Sequence, residues 1–263
     1  AADGMLTMVN DRQVLARAQP LPHHGGWVVA LEASGAGGTG LIQDMDLHRS
    51  IPSRVSPHAQ TSLEELTVMV LDCETTGLNV AFDRLLSLAA VRVQGARLVR
   101  TETIDVLFDP GEPIPPTSTA IHGITDAMVM AEKPLAERWA EVEPLLRDCV
   151  VVGHNIGFDL TILETELRRA GIAWRRPPSL CTLQLVSVLD PALTDLNLEA
   201  VAQAYGIVVA GRHTALGDAL VTAEVYLHLL ALMQARGDRT LRDAQTRAAS
   251  ARRVIREQQA AGW

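Results

Sequence analysis

The run TVMVLDCET, residues 67–75, is apolar until it closes on two carboxylates, Asp72 and Glu74. An extended chain points alternate side chains to opposite faces, so residues two apart share one face. Both acids therefore project together, while Cys73 points the opposite way into packing. Two like charges at the end of a buried strand repel each other and lose hydration, a cost of several kcal/mol per ion unless a cation answers them. Salt bridges to arginines at a solvated strand end are one answer. The other is a divalent metal, for which hard carboxylate oxygens suit Mg²⁺ or Mn²⁺.

Two further acids stand where an apolar pattern does not call for them. Asp159 lies in HNIGFD, just after the strand-like run CVVVG. Asn155 there is a candidate helix cap, which puts Asp159 in the first turn, where an acid also suits the helix dipole. Asp218 is followed by Thr222, Val225 and Leu229 at i+4, i+7 and i+11, so it heads the inward stripe of a helix. His213 precedes that helix in RHTALGD. A side chain that titrates near neutrality beside an acidic cluster meets the requirement of a general base for water.

The elements that must hold these residues follow from the pattern. LLSLAAVRV (85–93) and RLVRTETIDVLF (97–108) read as further strands with a turn at Gln94-Gly95. Helices are expected over 134–147, 158–170, 196–205 and 214–234, and a polar, arginine-rich helix over 237–260. Strands first, then strand–helix alternation, predict an α/β fold built on a mixed sheet. Residues 1–33 carry three short β runs, too little to bury a core alone. Residues 34–65 read as a linker, residues 66–234 as the main domain and residues 235–263 as a polar helix or tail.

Composition narrows the function classes. The net charge is −8, and Lys133 is the sole lysine among 23 basic residues. That charge argues against a broad basic surface coating duplex nucleic acid, although local carboxylates suit an enzyme that gathers cations. Three single cysteines without C-x-x-C spacing fit a reducing, cytoplasmic setting. No run of about 18 apolar residues predicts membrane contact. Trp27, Trp139 and Trp174 read as packing residues. The chain begins at Ala1, as expected of a processed chain or a piece of a longer one.

LDCETTG, HNIGFD and HTALGD together resemble the three ordered motifs of the DEDDh exonucleases, the DnaQ-like group that includes the proofreading epsilon subunit of bacterial DNA polymerase III. IHGIT, between the first two, resembles a recurrent element of the same group. The likeness covers residues 66–234. It implies an RNase H-like mixed β-sheet flanked by helices, with two divalent ions, Mg²⁺ or Mn²⁺, held by Asp72, Glu74, Asp159 and Asp218, and with His213 taking a proton from the attacking water. By the same resemblance Thr75, Thr76, Gly77 and Leu78 border the terminal nucleotide, His122 and Phe158 stack against or wedge bases, and Asn155 supports the pocket.

The implied activity is metal-dependent 3′–5′ hydrolysis at the end of a single-stranded nucleic acid, DNA in preference to RNA, releasing nucleoside monophosphates. A ribonuclease of the same group and a non-catalytic nucleic-acid-binding module are the alternatives. A DNA polymerase and a second copy of the chain are the candidate protein partners.

Overall fold

The structure, a computed structural model, describes residues 2–7, 13–20, 27–33, 56–209 and 211–263. The chain divides into two compact units, Ala1–Pro52 and Ser53–Trp263. In the first, β1 (Ala2–Thr7), β2 (Gln13–Pro20) and β3 (Trp27–Ala33) form an antiparallel meander in the order β1-β2-β3, which meets the expectation of three short strands. The expected linker stretch 34–55 lies outside the described residues.

The second unit is built on five strands: β4 (Thr67–Thr75), β5 (Leu85–Gln94), β6 (Arg97–Leu107), β7 (Val150–Gly153) and β8 (Ser179–Cys181). Their order is β6-β5-β4-β7-β8; β4, β5 and β6 are antiparallel, whereas β7 and β8 run parallel to β4. All ten residues of β5 are buried, as expected of a strand covered on both faces. The turn from β5 to β6 takes positive φ at Gly95 and Ala96, the conformation that matches the twist of a tight hairpin.

Helices cover both faces. α3 (Leu135–Leu146) and α4 (Gly157–Arg169) bury one side with Met69, Leu71, Cys73, Leu88 and Val151. The other side, formed by Val68, Val70, Ala89, Val91, Val150 and Val152, lies under α5 (Thr182–Leu189), α6 (Leu198–Ala204), α7 (Ala215–Ala235) and α8 (Leu241–Ala249). Among the described residues α7 alone is long and apolar enough to cross a membrane. Here it is the central core helix: Val221, Val225, Leu229 and Met233 are all buried. Two short helices, α1 (Pro116–His122) and α2 (Asp126–Val129), fill the connection from β6 to α3, and α9 (Arg252–Ala260) ends the described chain.

The structure departs from the expected boundaries. Residues 56–65, read as linker, pair with the start of α8: Leu63 N–H donates to the Arg239 carbonyl at 2.9 Å and Leu241 N–H to Thr61 at 3.0 Å. Leu63 and Leu66 are buried in the same core as Leu241, Ala244 and Ala248. The segment after 234, read as a polar helix or tail, is two helices, and Leu241, Ala244 and Ala248 of the first lie in the core of this unit. Their polar residues outnumber the apolar ones, and a narrow buried stripe in a mostly charged helix does not stand out in composition.

Candidate active site

The end of β4 places Asp72 and Glu74 on the face toward α7. That helix starts beside them, with the Thr214 hydroxyl oxygen accepting from Gly217 N–H at 3.1 Å as its cap. Asp218, in its first turn, is 6% exposed. One carboxylate oxygen from each of Asp72, Glu74 and Asp218 falls within 4.8 Å of the others. Three acids so close on partly or fully buried positions repel one another. Burial, then Asp159, Asp218 and Glu74 in turn, hold the Asp72 carboxyl well above the usual range. Burial and Asp218 push Glu74 up to about 7.

Asp159 reaches the same end of the sheet from the other side. It sits in the first turn of α4, 5% exposed, and bonds to the backbone and thiol of Cys73. Burial pushes its carboxyl up to about 8, Glu74 adds to this, and the bonds from its own backbone and from Cys73 oppose it. Cys73 therefore does more than pack. It ties the fourth acid to the back of the strand that carries the first two.

A cation missed in the sequence answers part of this charge. Arg212 bonds Asp218 Oδ2 at 2.5 Å and Glu199 Oε1 at 2.8 Å, and its charge lowers the pKa of both Asp72 and Glu74. Its place directly before His213 in RHTALGD was the available signal. Asp218 Oδ1, by contrast, is buried with no hydrogen-bond partner. A buried carboxylate oxygen without a donor, facing two further acids, fits a hard divalent cation.

His213, next in sequence to Arg212, is exposed with φ +58°, a left-handed backbone for a non-glycine residue. The tightness of its loop comes from Gly217. A Cβ there would lie 1.9 Å from the Gly211 carbonyl oxygen and 2.8 Å from Thr214 Oγ1, so any side chain at 217 forces the loop off the helix. His154, a few residues before Asp159, is excluded as a base. Its Nδ1 and Nε2 engage Thr182 and the Leu196 carbonyl at 2.9 and 2.8 Å, and burial lowers its pKa to about 4.

The expected nucleotide-binding residues are placed unevenly. Thr75, Thr76 and Gly77 form a stapled turn: Thr75 Oγ1 donates to the Gly77 carbonyl at 2.6 Å, and Ser118 Oγ to the Thr76 carbonyl at 2.6 Å. Leu78 is 73% exposed, and Phe82, not singled out in the sequence, is 76% exposed on the same loop. Arg169 pins that loop by donating to the carbonyls of Ala81, Phe82 and Asp83. His122 is buried, and its Nδ1 accepts from Ile124 N–H at 3.0 Å, so it braces the IHGIT turn below Thr75. Asn155 is not the side-chain cap expected for α4: the N-cap is Ile156, and no side chain caps it. Asn155 has φ +73°, and its Oδ1 accepts from Gln258 Nε2 at 2.6 Å. Phe158 meets Trp263 edge to face at 5.4 Å.

A mixed sheet with acids converging at the end of its first long strand defines the RNase H-like nuclease class, and comparison with known proteins gives the family. The exonuclease family RNase_T matches residues 69–226, and the chain belongs to it, among the DnaQ-like 3′–5′ exonucleases. It is 35% identical over 164 residues to the DNA polymerase III subunit epsilon of Aquifex aeolicus, covering 62% of this chain and 80% of that protein. It is 38% identical over 205 residues to a DNA polymerase III subunit epsilon-like protein of Rhodobacter capsulatus, covering 77% of this chain but only 29% of that relative's length. Among solved structures, E. coli exonuclease I bound to a dT13 oligonucleotide superposes with a TM-score of 0.58 at 21% identity, over 66% of this chain and 43% of that one. Exonuclease X with 5′-overhanging duplex DNA gives 0.53 at 24% identity, over 68% of this chain and 99% of that one. These two likenesses support the fold. Enzymes of this family depend on divalent metal, and the carboxylates described above are the group here that could bind it.

Proposed function

We propose that the chain hydrolyses the terminal phosphodiester at the 3′ end of single-stranded nucleic acid, DNA in preference to RNA, releasing nucleoside monophosphates. The observation that carries this is the convergence of Asp72, Glu74 and Asp218 within 4.8 Å. In this reading Asp72, Glu74, Asp218 and Asp159 hold two divalent ions, Mg²⁺ or Mn²⁺. When bound, such ions supply charge stabilisation for an in-line displacement at phosphorus.

The chain's own residues do the rest. His213 accepts a proton from the attacking water, and its exposure lets it approach a water held at the cluster only when substrate is seated. The turn Thr75–Gly77 offers its backbone to the terminal nucleotide. Leu78, Phe82 and Phe158 offer apolar faces on which unpaired bases stack, and Asn155 offers an amide. Selection for single strands follows from stacking of this kind, which paired bases cannot supply. Three buried cysteines outside any disulfide, Cys73, Cys149 and Cys181, suit the reducing cytoplasm. The names of the relatives make a DNA polymerase the leading protein partner, with a second copy of the chain as the alternative.

The test uses 5′-labelled DNA and RNA strands of one sequence, with Mg²⁺ or Mn²⁺, beside a circular single-stranded DNA. A descending ladder on linear DNA, slower on RNA and absent for Asp72→Ala and Asp218→Ala, is expected. Efficient cutting of the circle, or full turnover by either variant, overturns the assignment.

A further inference from the structure

α9 and Trp263 lie beyond the residues matched by the exonuclease family, yet they bind the two pocket residues that follow β7. Gln258 is 8% exposed, and its amide is used at both ends. Its Oε1 accepts from Gln184 Nε2 on α5 at 2.7 Å, and its Nε2 donates to Asn155 Oδ1 at 2.6 Å and faces Cys181 Sγ at 3.5 Å. One residue thus joins α9 to α5, to the end of β8 and to the turn before α4. The direction of the relay matters. Because Gln258 presents its NH₂ group to Asn155, one lone pair of the Asn155 oxygen is engaged, and the Asn155 NH₂ group, which makes no hydrogen bond to the described residues, is left as its open donor. A primary amide held this way has both N–H donors to offer and one remaining acceptor lone pair.

Trp263 completes the contact. Its backbone N–H donates to the Gln258 carbonyl at 3.0 Å, its ring meets Phe158 at 5.4 Å and 75°, and its Cβ lies 3.4 Å from where a Cβ on Gly157 would sit. A cavity of about 190 Å³ bounded by Gly157, Cys181, Gln184, Gln258 and Trp263 marks the seam. Edge-to-face contact fixes the tilt of the Phe158 ring without covering both its faces.

We propose that α9 is the outer wall of the terminal-nucleotide pocket, and that Gln258 and Trp263 are positioning residues. Gln258 sets Asn155 as a hydrogen-bond donor to an acceptor oxygen of the substrate, and Trp263 sets the angle of Phe158 against the terminal base. This rests on the proposed function, which places Asn155 and Phe158 at the substrate. It adds a specificity element from outside the matched family.

The experiment is fluorescence anisotropy of a labelled single-stranded oligonucleotide with a free 3′ hydroxyl, in Ca²⁺, on the full chain. Gln258→Ala is expected to weaken binding fivefold or more. The near-isosteric Gln258→Glu keeps the bond from Gln184 but cannot donate to Asn155, and is expected to weaken binding at least as much. In an Asn155→Ala background both changes should lose most of their effect, since residues acting through one partner are not additive. Trp263→Ala should lose its effect likewise in a Phe158→Ala background. A purely structural role for α9 would lower the melting temperature and show the same loss of binding in both backgrounds; that additive result overturns the proposal, as does unchanged binding by Gln258→Glu. If the wild-type chain binds no single strand at all, the proposed function itself falls, and the wall with it.

Discussion

Glu74→Gln should make the metal-free protein more stable, and the size of the gain can be worked from the site. In the folded chain burial and Asp218 raise the Glu74 carboxyl from 4.5 to about 7. The folded state therefore binds more protons than the unfolded one between these values, and stability falls as pH rises through that window. Such a difference corresponds to at most about 3 kcal/mol above pH 7, charge that glutamine never carries. For a unit of this size each kcal/mol moves the melting temperature by roughly 2 to 4 °C. The variant is thus expected to melt up to about 12 °C higher than wild type at pH 8 in EDTA, by this conversion, and with little difference at pH 4. Saturating Mn²⁺ should narrow or reverse the gap, because metal stabilises the intact site by mass action. Differential scanning fluorimetry across pH 4–8.5, with and without Mn²⁺, reads all of this. A variant that melts below wild type at pH 8 in EDTA would show that the carboxylates do not repel one another, and the argument for a cation site would lose its footing.

Three other perturbations probe the supports of the site. Arg212→Gln removes the cation that competes for Asp218, and calorimetry at pH 8.5 should show Mn²⁺ binding several-fold more tightly; weaker binding would mean that Arg212 orders the acids and does not compete for them. Gly217→Ala forces a methyl into the Gly211 carbonyl, and overpacking of this kind costs about 1–3 kcal/mol; calorimetric melting and turnover should both fall, and a variant indistinguishable from wild type would refute the close approach. A chain beginning at Ser53 and running to Trp263 should keep the melting temperature of the main unit, while one ending at residue 236 should lose solubility because Leu241, Ala244 and Ala248 leave the core. Equal melting of the two would restore the boundary expected from sequence near 235.

Much of the site could be read before any coordinates, because charge at the end of an apolar run is costly enough to signal itself. Asp72, Glu74 and Asp218 stand out by that logic, and the inward stripe from Asp218 through Thr222, Val225 and Leu229 is buried as the periodicity required. The supporting partners were harder to see. Arg212 reads as one more arginine in an arginine-rich chain until the fold brings it to Asp218 and Glu199. β8 has three residues and α5 follows it directly, capped by Cys181 without a side-chain bond, so neither leaves a periodic run or a cap to find. α9 has only Val254 and Gln258 buried, and a buried glutamine gives no hydrophobic signal although it holds three elements together. Asp159 falls in the first turn of a helix, as the motif HNIGFD led one to expect. Its route to the sheet end by way of Cys73 is what the sequence did not reveal, because strand alternation alone cannot show a contact across layers.

The left-handed backbones at Asn155 and His213 carry a consequence for how this protein can change. A non-glycine residue held at positive φ costs of order 1 kcal/mol or more, and glycine would adopt the same geometry freely. On the proposed function each position thus sets backbone ease against chemistry, since glycine brings neither an imidazole nor a side-chain amide. Selection of this chain for heat resistance alone would therefore favour glycine at 213, and on the proposed function would trade the imidazole for a better-folded loop, whereas at 155 the bond from Gln258 opposes the same change. Conversely, stabilising changes made far from the two turns offset that burden without touching it.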